Sequence, residues 1–230
     1  MKNKHLFIGS ISAFAGILLV ILLLVSLFVV QDNFLKYTNH KYRVHENLAM
    51  SSSELDKAAE QMVAYVKGQI DSPQVVVEVN GTKTEFFNQK EIGHLQDVRE
   101  LIGGLYIGMA CLFLICIAGE VALAKKKNYS AVINGIFIAW AFIIVLAVGI
   151  GIIALIDIDF VITGFHELFL ADSAWVLNPS LDRSVWMFMT NMYQDVLIVI
   201  GAIVLGTAFV SMGGALVAQK KIKEGCKNGR

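Results

Sequence analysis

Four long stretches without a charged side chain dominate the pattern of hydrophobic and polar positions along the chain. They cover residues 6–31, 101–119, 128–156 and 196–219, which are 26, 19, 29 and 24 residues long. A helix needs about 20 apolar residues to cross roughly 30 Å of hydrocarbon, and none of the stretches shows the alternation of a membrane β-strand. The pattern therefore predicts four transmembrane helices.

Basic residues near the ends of these stretches predict their orientation, because lysine and arginine resist translocation. Lysines and an arginine lie before the first stretch, between the second and third, and after the fourth, whereas residues 157–195 contain Arg183 as their one basic residue. We expect both termini to be cytoplasmic and the active surface to be extracellular. The predicted organisation is a cytoplasmic N-terminus and first span (1–31), an extracellular cap (32–100), a second span (101–124), a basic cytoplasmic turn and third span (125–156), a second extracellular loop that completes the cap (157–195), and a fourth span with a basic cytoplasmic tail (196–230).

The first extracellular segment has its own folding signals. Ser51 to Ser53 offers a helix cap, and apolar residues from Leu55 to Val66 follow at helical spacing. Asn80-Gly81 separates two short strand-like runs, which is a strong hairpin signal because both turn residues must adopt positive φ. The predicted fold class is an all-α integral membrane protein with four transmembrane helices and a small extracellular α+β cap, made of an amphipathic helix and a β-hairpin.

Composition removes several classes of protein. The chain is 56% hydrophobic and 17% charged, which is too apolar for a water-soluble domain, and 19 basic residues balance 19 acidic ones, so no nucleic-acid partner is expected. Its cysteines, Cys111, Cys116 and Cys226, lie outside the extracellular segments, unlike those of tetraspanins and claudins. The central part of each span lacks Asp, Glu, Lys and Arg, which argues against a transporter.

Candidate chemistry lies at His94 and His166, which flank the outer ends of neighbouring spans. Asn88 and Glu91 match an N-cap residue and its reciprocal partner, so the helix that begins there carries His94 and, one turn on, Asp97. His166 lies beside Glu167 in an aromatic-rich segment. Motifs for serine hydrolases and zinc peptidases are absent. If the two histidines are catalytic, acid–base chemistry is the interpretation that remains, with a metal site as a minority alternative. A structural role for both histidines also stays open at this point.

Three motifs together resemble a known family. Residues 91–98 read E-x-x-H-x-x-D-V, residues 165–169 read F-H-E-L-F, and residues 175–182 read W-x-x-N-P-x-x-D. In this order they resemble the bacterial lipoprotein intramolecular transacylase (Lit) family. The resemblance implies that His94 and His166 are catalytic, and that Trp175 and Asp182 belong to the second-loop motif. It also implies transfer of the sn-2 acyl chain of a diacylglyceryl-cysteine onto the α-amino group of the same cysteine, which gives a lyso-form lipoprotein.

The residues of the expected site follow from these motifs and from the resemblance. Glu91, Asp97 and Glu167 are expected to orient the histidines, while Phe165, Phe169, Trp175 and Asp182 contact the substrate. Other candidates for a water-excluding wall are Phe160, Trp186, Phe86 and Phe87. We expect no metal or cofactor, a diacylated bacterial lipoprotein as substrate, a phospholipid environment in the bacterial plasma membrane, and a monomer.

Two other functions remain open on the sequence. A non-enzymatic four-helix receptor or assembly protein would bind a partner through the extracellular cap, with structural histidines. A phospholipid acyl hydrolase would use the same residues to release free fatty acid.

Overall fold

The computed structural model describes residues 2–170 and 175–227 of the chain. Its secondary structure is mostly helical, with one two-stranded antiparallel sheet. The elements are α1 (Lys2–Phe28), α2 (Asp32–Lys41), α3 (Val44–Asn47), α4 (Ser52–Val66), β1 (Val76–Val79), β2 (Thr82–Glu85), α5 (Gln89–Lys125), α6 (Tyr129–Ile156), α7 (Ile158–Phe169), a 3₁₀ helix (Ser184–Phe188) and α8 (Thr190–Lys227).

Four helices in the described part of the chain, α1, α5, α6 and α8, are long and apolar enough to cross a membrane. Each contains most of one uncharged stretch. The 37 residues of α5 extend about 55 Å at 1.5 Å per residue, which exceeds the roughly 30 Å of hydrocarbon. Part of α5 therefore continues beyond the hydrocarbon as an ordinary helix.

The chain divides into two compact units. The helix unit contains Met1–Val25, Ile107–Gly151 and Ile200–Arg230, and the loop unit contains Ser26–Tyr106 and Ile152–Val199. Both histidines of interest belong to the loop unit.

Close backbone contact characterises the helix unit. A Cβ built on Gly135 of α6 would lie 2.3 Å from the carbonyl carbon of Gly9 in α1, so a glycine is required there. Trp140 of α6 is fully buried, and its indole N–H donates a hydrogen bond to Ser211 Oγ of α8 at 2.7 Å. Small residues that allow such approach are typical of helix packing in membranes.

The amphipathic helix and the hairpin form the core of the loop unit. Ser51 caps α4 by accepting a hydrogen bond from the Glu54 N–H, and α4 buries the apolar residues that the pattern predicted. Val79 pairs with Thr82 across a turn in which Asn80 and Gly81 have φ of 50° and 74°, as the hairpin signal predicted. The same core contains Leu35, Val77 and Met187.

Three aromatic residues that we expected in the wall of the site instead belong to this core. Phe86 and Phe87 are buried and pack edge to face, with ring centroids 4.8 Å apart. Trp186 packs against the same cluster, and its indole N–H donates to the carbonyl oxygen of Pro179. Burial of an aromatic pair after β2 stabilises the hairpin, which would be marginal alone.

The segment between α6 and α8 is more regular than its sequence suggested. Asp157 caps α7 by accepting a hydrogen bond from the Phe160 N–H at 3.0 Å, so a 12-residue helix follows α6 after a single residue. The segment after α1 likewise begins with two helices, α2 and α3, that the sequence pattern did not indicate.

Candidate active site

The rings of His94 and His166 lie side by side. His94 comes from the second turn of α5 and His166 from the last turn of α7. Their ring centroids are 5.8 Å apart, with 33° between the ring planes, and both side chains are partly buried. The structure thus brings together two residues that are 72 positions apart in the chain.

One nitrogen of the His166 ring is fixed by the backbone. His166 Nδ1 lies 2.8 Å from the carbonyl oxygen of Ile162, one turn earlier in α7. Because a carbonyl oxygen can only accept, Nδ1 carries the proton of this bond. Nε2 is therefore the nitrogen of His166 that is available for proton transfer.

Aromatic residues surround the His166 ring on its other sides. The Trp175 ring stacks on it with a centroid distance of 4.9 Å and a 30° tilt, and Phe165 meets it edge on at 5.8 Å. Phe169 contacts Phe165 at 4.9 Å. Two predicted substrate contacts, Trp175 and Phe165, therefore lie against His166, and Phe169 adjoins them through Phe165; Phe165 and Phe169 are exposed.

Glu91 anchors the start of α5 and one end of the second loop. Its side chain is 1% exposed. Oε2 accepts a hydrogen bond from the Asn88 N–H at 2.7 Å, while the Asn88 side chain accepts one from the Glu91 N–H, which completes the predicted capping box. Oε1 accepts a second backbone bond from the Ser184 N–H at 2.6 Å. Glu91 thus holds the helix that carries His94 against the 3₁₀ helix.

Asp182 shapes the second loop. It is 3% exposed; Oδ2 accepts a hydrogen bond from the Asn178 N–H at 2.6 Å, and Oδ1 accepts one from the Asn88 amide at 2.7 Å. Burial acts to raise the pKa of this carboxyl, but these hydrogen bonds and the charge of Lys90 outweigh burial and hold the pKa below its usual value. Both oxygens are engaged within the protein, so this position suits loop support rather than the substrate contact that we expected.

The two other predicted orienting residues lie close to the pair in sequence and differ in exposure. Asp97 is partly buried, one turn after His94 on α5, and Glu167 is exposed, directly after His166 on α7.

The sequence pattern missed the contributions of Ser184 and of the Asn88 amide to the second loop. Their partners are 93 and 94 residues away, and no local signal marks such contacts.

The remaining histidines are His5, His40 and His45. His40 Nε2 is 2.9 Å from Asp56 Oδ1, His45 Nε2 is 4.0 Å from Glu46 Oε1, and His5 Nδ1 is 2.7 Å from the Asn128 amide. Within residues 2–170 and 175–227, no three His, Cys, Asp or Glu side chains converge as a metal-binding group.

Four apolar helices and a pair of histidines within a partly polar unit define a membrane-integral protein with a potential acid–base site. The model of the family described as "Lipoprotein intramolecular transacylase Lit" matches residues 10–193. The chain therefore belongs to the lipoprotein intramolecular transacylase (Lit) family.

Solved structures of Lit from Bacillus cereus share the fold of this chain. The first is 16% identical, covers 97% of this chain and 100% of its own, and superposes with a TM-score of 0.78. Two variants of that protein, with a histidine replaced by arginine or by alanine, are also 16% identical and cover 97% of this chain. They cover 95% and 97% of their own chains, each with a TM-score of 0.74. A search of the curated proteins gives no match.

Proposed function

We propose that the protein is a membrane acyltransferase that moves the sn-2 acyl chain of a lipoprotein's diacylglyceryl-cysteine onto the α-amino group of that cysteine. The product is a lyso-form lipoprotein with an N-acyl chain and one remaining ester-linked chain. The observation that carries the proposal is the His94–His166 pair, whose rings lie 5.8 Å apart in a chain of the Lit family.

In this reaction the amine is the nucleophile, so the enzyme supplies proton transfer and positioning. The amine nitrogen attacks the sn-2 carbonyl carbon, an amide bond forms, and the bond from that carbon to the glycerol oxygen breaks. One histidine takes the proton that leaves the nitrogen, and the other donates a proton to the departing glycerol oxygen. His166 acts through Nε2, because Nδ1 is engaged by Ile162. A histidine pKa near 6.5 in peptides suits both steps near neutral pH.

Confinement supplies the rest of the rate enhancement. Ester and amine belong to one flexible molecule and must be brought together, and well-oriented intramolecular reactions reach effective molarities of about 10⁵–10⁸ M. The stacked Trp175 and the Phe165–Phe169 pair offer an apolar surface beside the histidines. Such a surface favours acyl chains and keeps water from the ester, which would otherwise be hydrolysed.

The acidic residues position the histidines and the loop. Glu91 and Asp182 fix the start of α5 and the second loop through buried hydrogen bonds. Asp97 and Glu167, next to the two histidines in sequence, orient the rings in this proposal. None of the four carboxylates takes part as a nucleophile.

The proposed topology follows the basic residues at the helix ends. Both termini are cytoplasmic, the loop unit forms the extracellular cap, and the protein acts as a monomer in the bacterial plasma membrane. The substrate's acyl chains lie in the outer leaflet, so its modified cysteine meets the cap at the membrane surface.

The test is mass spectrometry of a lipoprotein's amino-terminal peptide after co-expression in cells that lack any other amino-terminal acylation. Wild-type protein should give a lyso peptide of unchanged total mass with one acyl chain on nitrogen. His94→Ala and His166→Ala should abolish it. His40→Ala is the matched control, since His40 lies in the same unit but pairs with Asp56.

Each alternative predicts a different result. Wild-type conversion by both His94→Ala and His166→Ala would reject histidine catalysis. An untouched diacyl peptide with wild-type protein would favour the receptor hypothesis. Free fatty acid released in proportion to lost diacyl lipoprotein would indicate hydrolysis.

A further inference from the structure

Helix α7 turns an apolar side outward. Phe160 and Leu168 are 65% and 75% exposed, and Phe165 is also exposed. The partly buried side chains of the helix are those of Ile158, Val161, Ile162, Thr163 and His166, and its exposed polar side chains are those of Asp159 and Glu167. A surface helix of a protein in water usually buries its large apolar side chains. The side of α7 that exposes Phe160 and Leu168 is therefore suited to an apolar environment.

Helix geometry separates the two sides of α7 clearly. At 3.6 residues per turn, Phe160, Gly164 and Leu168 follow one another along a single side. Asp159 is nine residues before Leu168, which is 2.5 turns, so the two lie on opposite sides. His166 lies on the side of Asp159, about 160° around the helix from Leu168.

Exposed apolar residues also lie at the end of α6, directly before α7. Within the loop unit, Leu155 and Ile156 are almost fully exposed. They end a helix that is apolar enough to cross a membrane, and Asp157 alone separates it from α7. An exposed apolar side on a helix that follows a membrane-crossing helix after one residue favours lipid, rather than a soluble protein, as its covering.

We propose that α7 is an interfacial helix that lies along the membrane surface at the end of α6. Phe160 and Leu168 insert into the acyl region of the leaflet, as the apolar faces of such helices do to a depth of about 5–10 Å. Asp159 and His166 face the headgroups and water, and the exposed Glu167, about 100° around the helix from Leu168, lies at the boundary between the two sides. In combination with the proposed function, on which this last step rests, His166 reaches ester groups at the level where a lipid-anchored substrate carries them.

Spin-label accessibility tests this placement directly. The full chain, with Cys111, Cys116 and Cys226 replaced by alanine, receives a nitroxide at Leu168→Cys or at the matched control Asp159→Cys. It is reconstituted in nanodiscs of phosphatidylethanolamine and phosphatidylglycerol. Oxygen, which concentrates in the acyl region, should relax the label at position 168 more than a water-soluble nickel chelate does. The order should be reversed at position 159. Phe160→Cys replaces Leu168→Cys if the latter does not fold.

Three results would overturn the proposal. The nickel chelate could relax the label at position 168 more than oxygen does, which would mean that this side faces water. Oxygen could relax the label more than the nickel chelate does at both positions, which would mean that α7 is immersed in hydrocarbon. Dipolar broadening at position 168 that disappears on dilution with unlabelled protein would mean that a second copy covers the helix. Lyso-form production is measured separately, so the predicted accessibility without activity would support interfacial placement and reject the proposed function.

Discussion

Replacing Glu91 by glutamine is expected to destabilise the loop unit. Glu91→Gln keeps the shape of the side chain but leaves one oxygen where the carboxylate has two. The glutamine oxygen can accept from either the Asn88 or the Ser184 N–H, and its amide NH₂ then faces the other donor. One buried hydrogen bond to a charged acceptor is therefore lost.

The size of the effect follows from burial and bond type. A hydrogen bond to a charged group contributes about 1.5–3 kcal/mol, and at 1% exposure no water replaces it at Glu91. At about 2–4 °C per kcal/mol for a chain of this size, Tm should fall by about 3–12 °C. Glu91→Ala leaves the Asn88 and Ser184 N–H groups without their acceptor and should lower the free energy of unfolding by about 2–6 kcal/mol.

Thermal unfolding in detergent, followed by tryptophan fluorescence, measures the change. Glu100→Gln is the matched control, because Glu100 is exposed on the same helix and accepts one long bond from Gln96. Its effect should stay within about 0.5 kcal/mol. Equal Tm values for Glu91→Gln and Glu100→Gln would refute the anchoring role. Loss of lyso-form production at unchanged Tm would instead show that Glu91 acts on the chemistry.

Three further changes test other parts of the molecule. Asp182→Asn should lower the free energy of unfolding by about 1.5–3 kcal/mol near neutral pH. The pKa of Asp182 in the folded protein lies below its ordinary value of 3.8. Wild-type protein therefore loses this stability as the pH falls from about 4 through the folded pKa. The Tm difference between the two proteins should shrink over that interval, and a constant difference would contradict the assignment. Gly135→Ala should lower stability by about 1–3 kcal/mol through its clash with Gly9, whereas Gly149→Ala, with open space on the same helix, should not; equal unfolding temperatures would disprove the close contact. Trp175→Ala should reduce lyso-form production at unchanged Tm, and undiminished product would remove Trp175 from the site.

The features that the sequence predicted well are those that depend on residues close together in the chain. The uncharged stretches, the Asn80-Gly81 turn and the Asn88–Glu91 capping box each depend on a few adjacent positions, and the structure has all of them. The motifs around His94 and His166 also identified two residues that lie together, although no periodicity required it. Their places beside the outer ends of neighbouring spans singled them out, and the family resemblance added a catalytic role.

The features that sequence missed depend on distant partners or on ambiguous composition. Phe86 and Phe87 are as aromatic as Phe165 and Phe169, yet the first pair is buried in the core and the second is exposed at the site. The identity of an apolar residue does not indicate whether it will be buried in the core or exposed at a site. The sequence predicts a loop after α6, whereas the structure has α7 there, which begins at the Asp157 cap.

The bond from His166 to the Ile162 carbonyl limits the routes that a proton can follow. Because Nδ1 keeps its hydrogen in both charge states of the ring, protons enter and leave by Nε2 alone. An imidazole with two free nitrogens can accept a proton at one nitrogen and release a proton from the other, but His166 cannot. In the proposed reaction, any proton that His166 accepts at Nε2 must leave again from Nε2, to the reacting molecule or to its immediate surroundings. Such local return suits a rearrangement in which the reactant and product hold the same atoms.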